Sequence, residues 1–315
     1  MSFRTAFPAP LRGVVPPLVT PLTPTGEVDV PSVHRLAEHL VGAGVHGLFL
    51  LGSSGETAYL TDAQRLTALE AAVDAAAGRV PVLAGVIETT TARVLERAKD
   101  AVRAGADALV ATAPFYTRTH PVEIADHFRR MRSGADLPLF AYDIPVAVHT
   151  ELPRETVLAL AADGTLAGLK DSSGDEGSLR RLLAPLRAAA PGFSVLTGSE
   201  LTVDAALLAG VDGVVPGLGN VDAQGYVRLY EAARAGDWDT ARAEQDRLAA
   251  LFAITDAGDP AVMGGSSSAL GAFKAAVHLQ GLIDCPATAA PQVPLDAEAF
   301  AYVRRHLVEA GLLPA

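Results

Sequence analysis

The pentapeptide Ala43-Gly44-Val45-His46-Gly47 returns as Ala104-Gly105-Ala106-Asp107-Ala108 and again as Ala209-Gly210-Val211-Asp212-Gly213. Each copy stands between a stretch of helical spacing and a short apolar run, where a helix closed by a glycine C-cap hands the chain to a buried strand. Outward from these joints, runs rich in Val, Leu, Ile and Ala alternate with longer helical segments from about residue 13 to about residue 234. Strands are predicted over 14–20, 47–51, 80–87, 108–112, 137–142, 166–170, 193–197 and 213–216, and helices over 33–42, 62–77, 92–104, 122–132, 154–162 and 179–190. Strands this short and apolar are buried on both faces, and helical connections make neighbouring strands parallel. Eight such units predict an α/β protein, a (β/α)8 TIM barrel, which typically takes about 250 residues. The competing arrangement is a doubly wound open sheet, but no Gly-x-Gly-x-x-Gly opens the first helix. Beyond about Trp238 only helical segments follow, at 240–252, 269–280 and 297–310, with a proline-bearing loop over 284–295. The predicted layout is an N-terminal arm (1–12), a catalytic barrel (13–235) and a C-terminal helical extension (236–315).

Composition bounds the function. The 315 residues are 50% hydrophobic and 19% charged, which supplies a large core and excludes disorder over most of the chain; two average domains would also fit the length. The formal charge is -11 and no Lys/Arg stripe occurs, so nucleic acid is not the expected partner. Cys285 is the one cysteine, which leaves no internal disulfide and no cysteine metal cluster. Residues 1–10 lack the layout of a signal peptide, and no run of about 18 apolar residues occurs. A cytoplasmic protein with no membrane partner is expected.

In a parallel barrel the chemistry sits at the C-terminal strand ends. Four stretches lie there: Gly52-Ser53-Ser54-Gly55-Glu56, Phe115-Tyr116, Tyr142-Asp143-Ile144-Pro145 and Lys170-Asp171-Ser172-Ser173. Lysine is rare, with only Lys99, Lys170 and Lys274 in the chain. Lys99 lies in a charged helical stretch and Lys274 in a C-terminal helix, as a surface or interface residue, whereas Lys170 ends an apolar strand. An amine in an apolar pocket can add to a ketone as a Schiff base; an ion pair with Asp171 is the plain alternative. Tyr142 is a proton donor and acceptor or a packing aromatic. The Gly-Ser-Ser-Gly-Glu loop offers hydroxyls and amides to a carboxylate, or is an ordinary tight turn. The eight histidines are scattered, with no His-x-His or His-Glu-x-x-His, so no metal is expected.

Taken with Pro17-Leu18-Val19-Thr20-Pro21-Leu22, Pro114-Phe115-Tyr116, Gly168-Leu169-Lys170-Asp171-Ser172-Ser173, Gly198-Ser199-Glu200 and Gly213-Val214-Val215, these motifs resemble the dihydrodipicolinate synthase and N-acetylneuraminate lyase family over nearly the whole chain. The resemblance implies a (β/α)8 barrel with C-terminal helices, assembled as a homotetramer of two tight dimers. It implies Lys170 as the Schiff-base lysine, Tyr142 as general acid/base and Ser53 as the relay hydroxyl beside it. Tyr116 would complete that relay across the tight dimer interface. Ser54 with loop amides would hold the pyruvate carboxylate, and Gly55, Val215 and Gly198 would belong to the substrate-binding set. No cofactor is implied beyond the covalent Schiff base on Lys170.

The sequence departs from the synthase pattern at several positions. Val146 and Ala147 stand where synthases carry an arginine for the aldehyde's carboxylate. Ser53-Ser54 replaces two threonines, Asp143 the usual asparagine, and Asp62 and Arg65 the histidines of lysine-inhibited members. The expected activity is a class I lyase joining or parting pyruvate (or another 2-keto acid) and an aldehyde, with a 2-keto-3-deoxy sugar acid or 4-hydroxy-2-oxo acid as the aldol. Alternatives are 4-hydroxy-tetrahydrodipicolinate synthase and a keto-deoxy sugar acid dehydratase; from another class, a noncatalytic sugar-acid binding protein.

Overall fold

The structure, a computed structural model, describes residues 7–314; residues 1–6 of the expected arm and residue 315 lie outside the described residues. At each repeat the chain leaves a helix through a left-handed glycine, with φ of 88° at Gly44, 91° at Gly105 and 106° at Gly210. The next residue donates back into the helix, Ala106 to the Ala101 carbonyl at 3.0 Å and Val211 to that of Ala206 at 3.2 Å. The fourth position then clamps a neighbouring strand twice. The N–H groups of His46, Asp107 and Asp212 donate to the carbonyls of Val14, Val82 and Val195 at 2.8, 2.8 and 2.7 Å. Their side chains accept the N–H of those same residues at 3.1, 2.9 and 2.8 Å. A side-chain acceptor at that position therefore fixes strand register as well as ending the helix.

The elements alternate as the periodicity predicts. They run β1 (Gly13–Val14), α1 (Val30–Gly42), β2 (Leu48–Leu50), α2 (Asp62–Ala76), β3 (Val82–Gly85), α3 (Thr91–Ala104), β4 (Ala108–Ala111) and α4 (Pro121–Gly134), then β5 (Leu139–Asp143), α5 (Pro145–Val148), α6 (Arg154–Ala162), β6 (Gly168–Asp171), α7 (Glu176–Ala189), β7 (Ser194–Thr197), α8 (Val203–Ala209), β8 (Gly213–Val214) and α9 (Ala223–Ala235). Helices α10 (Trp238–Phe252), α11 (Gly265–Leu279) and α12 (Ala297–Glu309) follow. All strand pairs are parallel, in the order β1-β8-β7-β6-β5-β4-β3-β2. Bonds from Leu18 N–H to the Phe49 carbonyl (2.9 Å) and from Phe49 N–H to that of Pro16 (3.0 Å) join β1 to β2, completing the (β/α)8 barrel.

Several strands are shorter than their apolar runs. Strand β1 is two residues long and shares only Val14 with the predicted 14–20, because Pro16 and Pro17 have no N–H to give a ladder. Parity sorts the core into two layers. Val15, Phe49, Leu83, Val110, Phe140, Tyr142, Leu196 and Val215 fill the barrel interior, while Leu48, Leu50, Leu109, Leu139, Leu169 and Val195 face the helices. No helix among the described residues is long and apolar enough to cross a membrane.

Candidate active site

Strands β5 and β6 pair with Tyr142 opposite Lys170, so two inward-pointing residues meet at the C-terminal mouth. Lys170 is 6% exposed. Its Nζ lies 3.9 Å from the centroid of the Tyr142 ring and 4.9 Å from that of Phe49. Phe49 and Tyr142 meet edge to face at 6.2 Å, so the amine is boxed by two aromatic rings. The alternative pairing with Asp171 is not formed: the next residue on a strand faces the other way, and Asp171 accepts the Ser173 N–H at 2.8 Å. The Tyr142 hydroxyl lies 3.4 Å from Ser53 Oγ. Burial pushes the phenol's pKa up, but the Lys170 charge and hydrogen bonds from Ser53, Lys170 and Ser172 outweigh it, and the net direction is down.

The Ser53-Ser54 loop turns tightly after β2, with Gly55 N–H on the Gly52 carbonyl (3.1 Å) and Glu56 N–H on that of Ser53 (3.0 Å). A Cβ at Gly55 would come within 2.9 Å of the Leu51 backbone nitrogen, so only glycine closes this turn. The N–H groups of Ser53 and Ser54 have no partner among the described residues, leaving them open to an anion. The loop is tied down from far away. Glu56 (φ 58°) forms a fully buried ion pair with Lys274 on α11. Its Oε1 also accepts the Ala289 N–H and Gln292 Nε2, both at 2.7 Å. Lys274 in turn donates to the Ala287 carbonyl at 2.7 Å. The expectation of a surface or interface lysine at 274 is therefore corrected: helix α11 presents it inward to the one carboxylate of the loop. Burial lowers its pKa, partly offset by the Glu56 charge.

At the ends of β7 and β8, Gly198 N–H donates to the Asp171 carbonyl at 2.6 Å, and a Cβ there would strike Ser172 Oγ at 2.0 Å. Val215 is buried in the interior layer. Glu200, which sequence reading quoted without giving it a role, is half-buried. It accepts the Leu218 N–H at 2.7 Å and the Tyr226 hydroxyl at 3.3 Å, joining the loops after β7 and β8. Burial lifts its pKa to about 7 against those bonds and the Lys170 charge. Asp143 likewise rises to about 7, through burial and then the charges of Asp171 and Glu151, although it accepts the Leu152 N–H at 3.2 Å. Tyr116 is not brought to this cluster within the chain. It is 94% exposed with φ 75° and has no hydrogen bond among the described residues.

The mouth opens into a chamber of about 340 Å³, in which Ser53, Ser54 and Tyr142 face a wall of Ile144, Ala147, Val148, Leu270 and Phe273. No charged side chain lines it. Helix α11 supplies Leu270 and Phe273, a contribution hidden in the sequence because that helix is apolar nearly all round. A larger cleft of about 540 Å³, between Phe7, Val80 and Asp107, lies at the opposite, N-terminal strand ends, where barrels do not place their chemistry. Among the described residues no group of three or more His, Cys, Asp or Glu could hold a metal ion.

Comparison with known proteins adds to this geometry. Residues 10–310 match the model of the dihydrodipicolinate synthetase family. The chain is 33% identical over 308 residues to a 4-hydroxy-tetrahydrodipicolinate synthase of Kineococcus radiotolerans, covering 97% of this chain and 95% of that one. It is also 33% identical over 243 residues to a probable 2-dehydro-3-deoxy-D-pentonate aldolase of Escherichia coli, covering 77% and 81%. Among solved structures, a prophage protein of the dihydrodipicolinic acid synthase family from Escherichia coli K12, in complex with pyruvate, superposes with a TM-score of 0.89 at 29% identity, covering 96% and 99%.

Proposed function

This chain belongs to the dihydrodipicolinate synthetase family, and on that premise we propose that it is a Schiff-base lyase that joins pyruvate to an uncharged aldehyde or parts them. The observation that carries the proposal is the Lys170 amine set against the Tyr142 ring, with Ser53 at the phenol's hydroxyl. The free amides of Ser53 and Ser54 take the pyruvate carboxylate. Lys170 Nζ adds to the C2 carbonyl, and loss of water gives an iminium. Removal of a C3 proton leaves a neutral enamine, whose C3 forms the new bond to the aldehyde carbon. Tyr142 delivers the proton to the oxygen so formed, and hydrolysis of the iminium frees Lys170; cleavage runs the same steps backward. The pyruvate-bound relative and the probable pentonate aldolase support this reading. The related synthase raises the alternative of aspartate semialdehyde as partner, but a chamber without a cation leaves that second carboxylate unmet.

The test is reduction with borohydride in the presence of pyruvate, followed by peptide mapping. With only three lysines in the chain the outcome is sharp: one adduct per chain, on Lys170, is expected. An adduct on Lys99 or Lys274, or none, overturns the proposal.

A further inference from the structure

We propose that Arg65, anchored on Glu88, is a positioning residue for pyruvate, which from behind the loop 52–57 holds the Ser53 and Ser54 amides toward the keto acid's carboxylate; this rests on the function proposed above. Neither Arg65 nor Glu88 lines the chamber, so the pair acts through the loop and not on the ligand. Arg65 Nε donates to the Thr57 carbonyl at 3.0 Å, and Nη2 donates to the same oxygen. Its Nη1 donates to Glu88 Oε1 at 2.8 Å. The two side chains are 11% and 9% exposed, so the pair is largely withdrawn from water. On the far side, Arg93 Nε donates to the other Glu88 oxygen at 2.9 Å. Burial pushes the Glu88 carboxyl's pKa up, but hydrogen bonds and charge from Arg93 and Arg65 outweigh it, and the net direction is down. The carboxylate therefore stays charged at neutral pH. Helix preference does not explain Arg65. Thr61 is the N-cap of α2, and the Arg65 N–H bonds to its carbonyl at 2.9 Å. A cation so near a helix N-terminus opposes the helix dipole, and Glu88, from the loop after β3, offsets it.

The grip on Thr57 reaches the free amides through the peptide planes. A trans peptide unit is planar, and its N–H points opposite to its C=O. The Ser53 N–H shares a peptide with the Gly52 carbonyl, and the Ser54 N–H shares one with the Ser53 carbonyl. The Gly52 carbonyl accepts from Gly55 N–H at 3.1 Å and from Thr57 N–H at 3.4 Å, and the Ser53 carbonyl accepts from Glu56 N–H at 3.0 Å. Residues 55–57 therefore aim both free amides by holding the carbonyls at their backs. The bond from Thr57 is the longest of the three, and Thr57 is the residue that Arg65 holds by its own carbonyl. With Arg65 removed, Thr57 can draw away and the peptide between Gly52 and Ser53 can turn. The loop itself stays in place, because Glu56 remains tied to Lys274, Ala289 and Gln292. What is lost is the alignment of an amide with a carboxylate, a charge-assisted bond that weakens steeply with angle.

The experiment needs no aldehyde. Lys170 is trapped with borohydride over a range of pyruvate concentrations, and over the same range of pyruvamide, which keeps the ketone and replaces the carboxylate by an uncharged amide. The half-saturating concentration of each is read for the wild type, Arg65→Ala and Glu88→Gln. Arg65→Ala should raise the pyruvate value about tenfold, the scale of one hydrogen bond to a charged group, and move the pyruvamide value much less. Glu88→Gln keeps Arg65 but loosens its anchor, and should shift pyruvate the same way by a smaller factor. A merely structural role would move both ketones together or neither. Equal shifts for the two ketones, or no shift in either variant, with the adduct still formed, overturn the positioning role and leave the Schiff-base function standing. If Arg65→Ala does not fold, Glu88→Gln decides by the same ratio. Absence of the pyruvate adduct from the wild type overturns the function itself, and the positioning role with it.

Discussion

Tyr142 is a packed interior residue and, in the proposed function, a proton carrier as well, and the two roles separate on substitution. Phenylalanine keeps the ring against Phe49 and Lys170 and removes only the hydroxyl beside Ser53. Tyr142→Phe should therefore fold as the wild type does and lose about 10²-fold or more in turnover with pyruvate and aldehyde, the usual scale for a positioned proton-transfer group; unchanged turnover returns the residue to packing alone. Its neighbour Asp143 reports on stability. Its carboxyl, ordinarily titrating at 3.8, is raised to about 7 in the fold. A raised carboxyl stabilises only while protonated, so this contribution is complete below about 4 and is lost as pH climbs through about 7. Asparagine can still accept the Leu152 N–H and cannot ionise. Asp143→Asn should then melt close to the wild type near pH 4.5 and above it at pH 8, by on the order of 3 kcal/mol; equal melting temperatures at both pH values would sink the argument.

At the scale of elements, the loop after β2 is held less by its own turn than by helix α11, which brings Lys274 to Glu56 where neither touches water. Removing one partner strands the other charge in the interior. Lys274→Met should cost about 3–5 kcal/mol in urea unfolding, and the double variant Glu56→Gln, Lys274→Met should recover much of it, since the penalty lies in the unpaired charge. No recovery in the double variant would mean that Lys274 acts through its bond to the Ala287 carbonyl instead. This pair also shows where sequence reading stops. The long helices and their glycine exits were legible, because amphipathic spacing and left-handed glycines are local. Lys170 and Tyr142 were legible because polar groups stand out at the ends of apolar strands. Glu56 and Lys274 lie at opposite ends of the chain, and no local pattern couples them. Glu200 stood in a quoted motif, and only its hydrogen bonds to Leu218 and Tyr226 distinguish it from a surface acid.

For the whole molecule the open question is posed by Tyr116, an aromatic residue in left-handed backbone, left almost wholly in water beside a buried site. Holding a non-glycine residue there costs on the order of 1–2 kcal/mol, and an exposed ring recovers none of it within its own chain. A second copy docked by symmetry on this face would receive the ring and place its hydroxyl in the relay of Ser53 and Tyr142, as the resemblance to the family implies. Complementation distinguishes this from action within one chain. Tyr116→Phe impairs the relay and Lys170→Ala abolishes the Schiff base, so each variant alone should be weak or inactive. When the two are refolded together, a mixed dimer contains one site in which the intact Lys170 of the first chain meets the intact Tyr116 of the second. Random pairing then restores about a quarter of wild-type sites. If Tyr116 serves its own chain, every mixed site lacks either the lysine or the tyrosine. Activity would then stay at the average of the two variants, and the exposed ring would need another explanation.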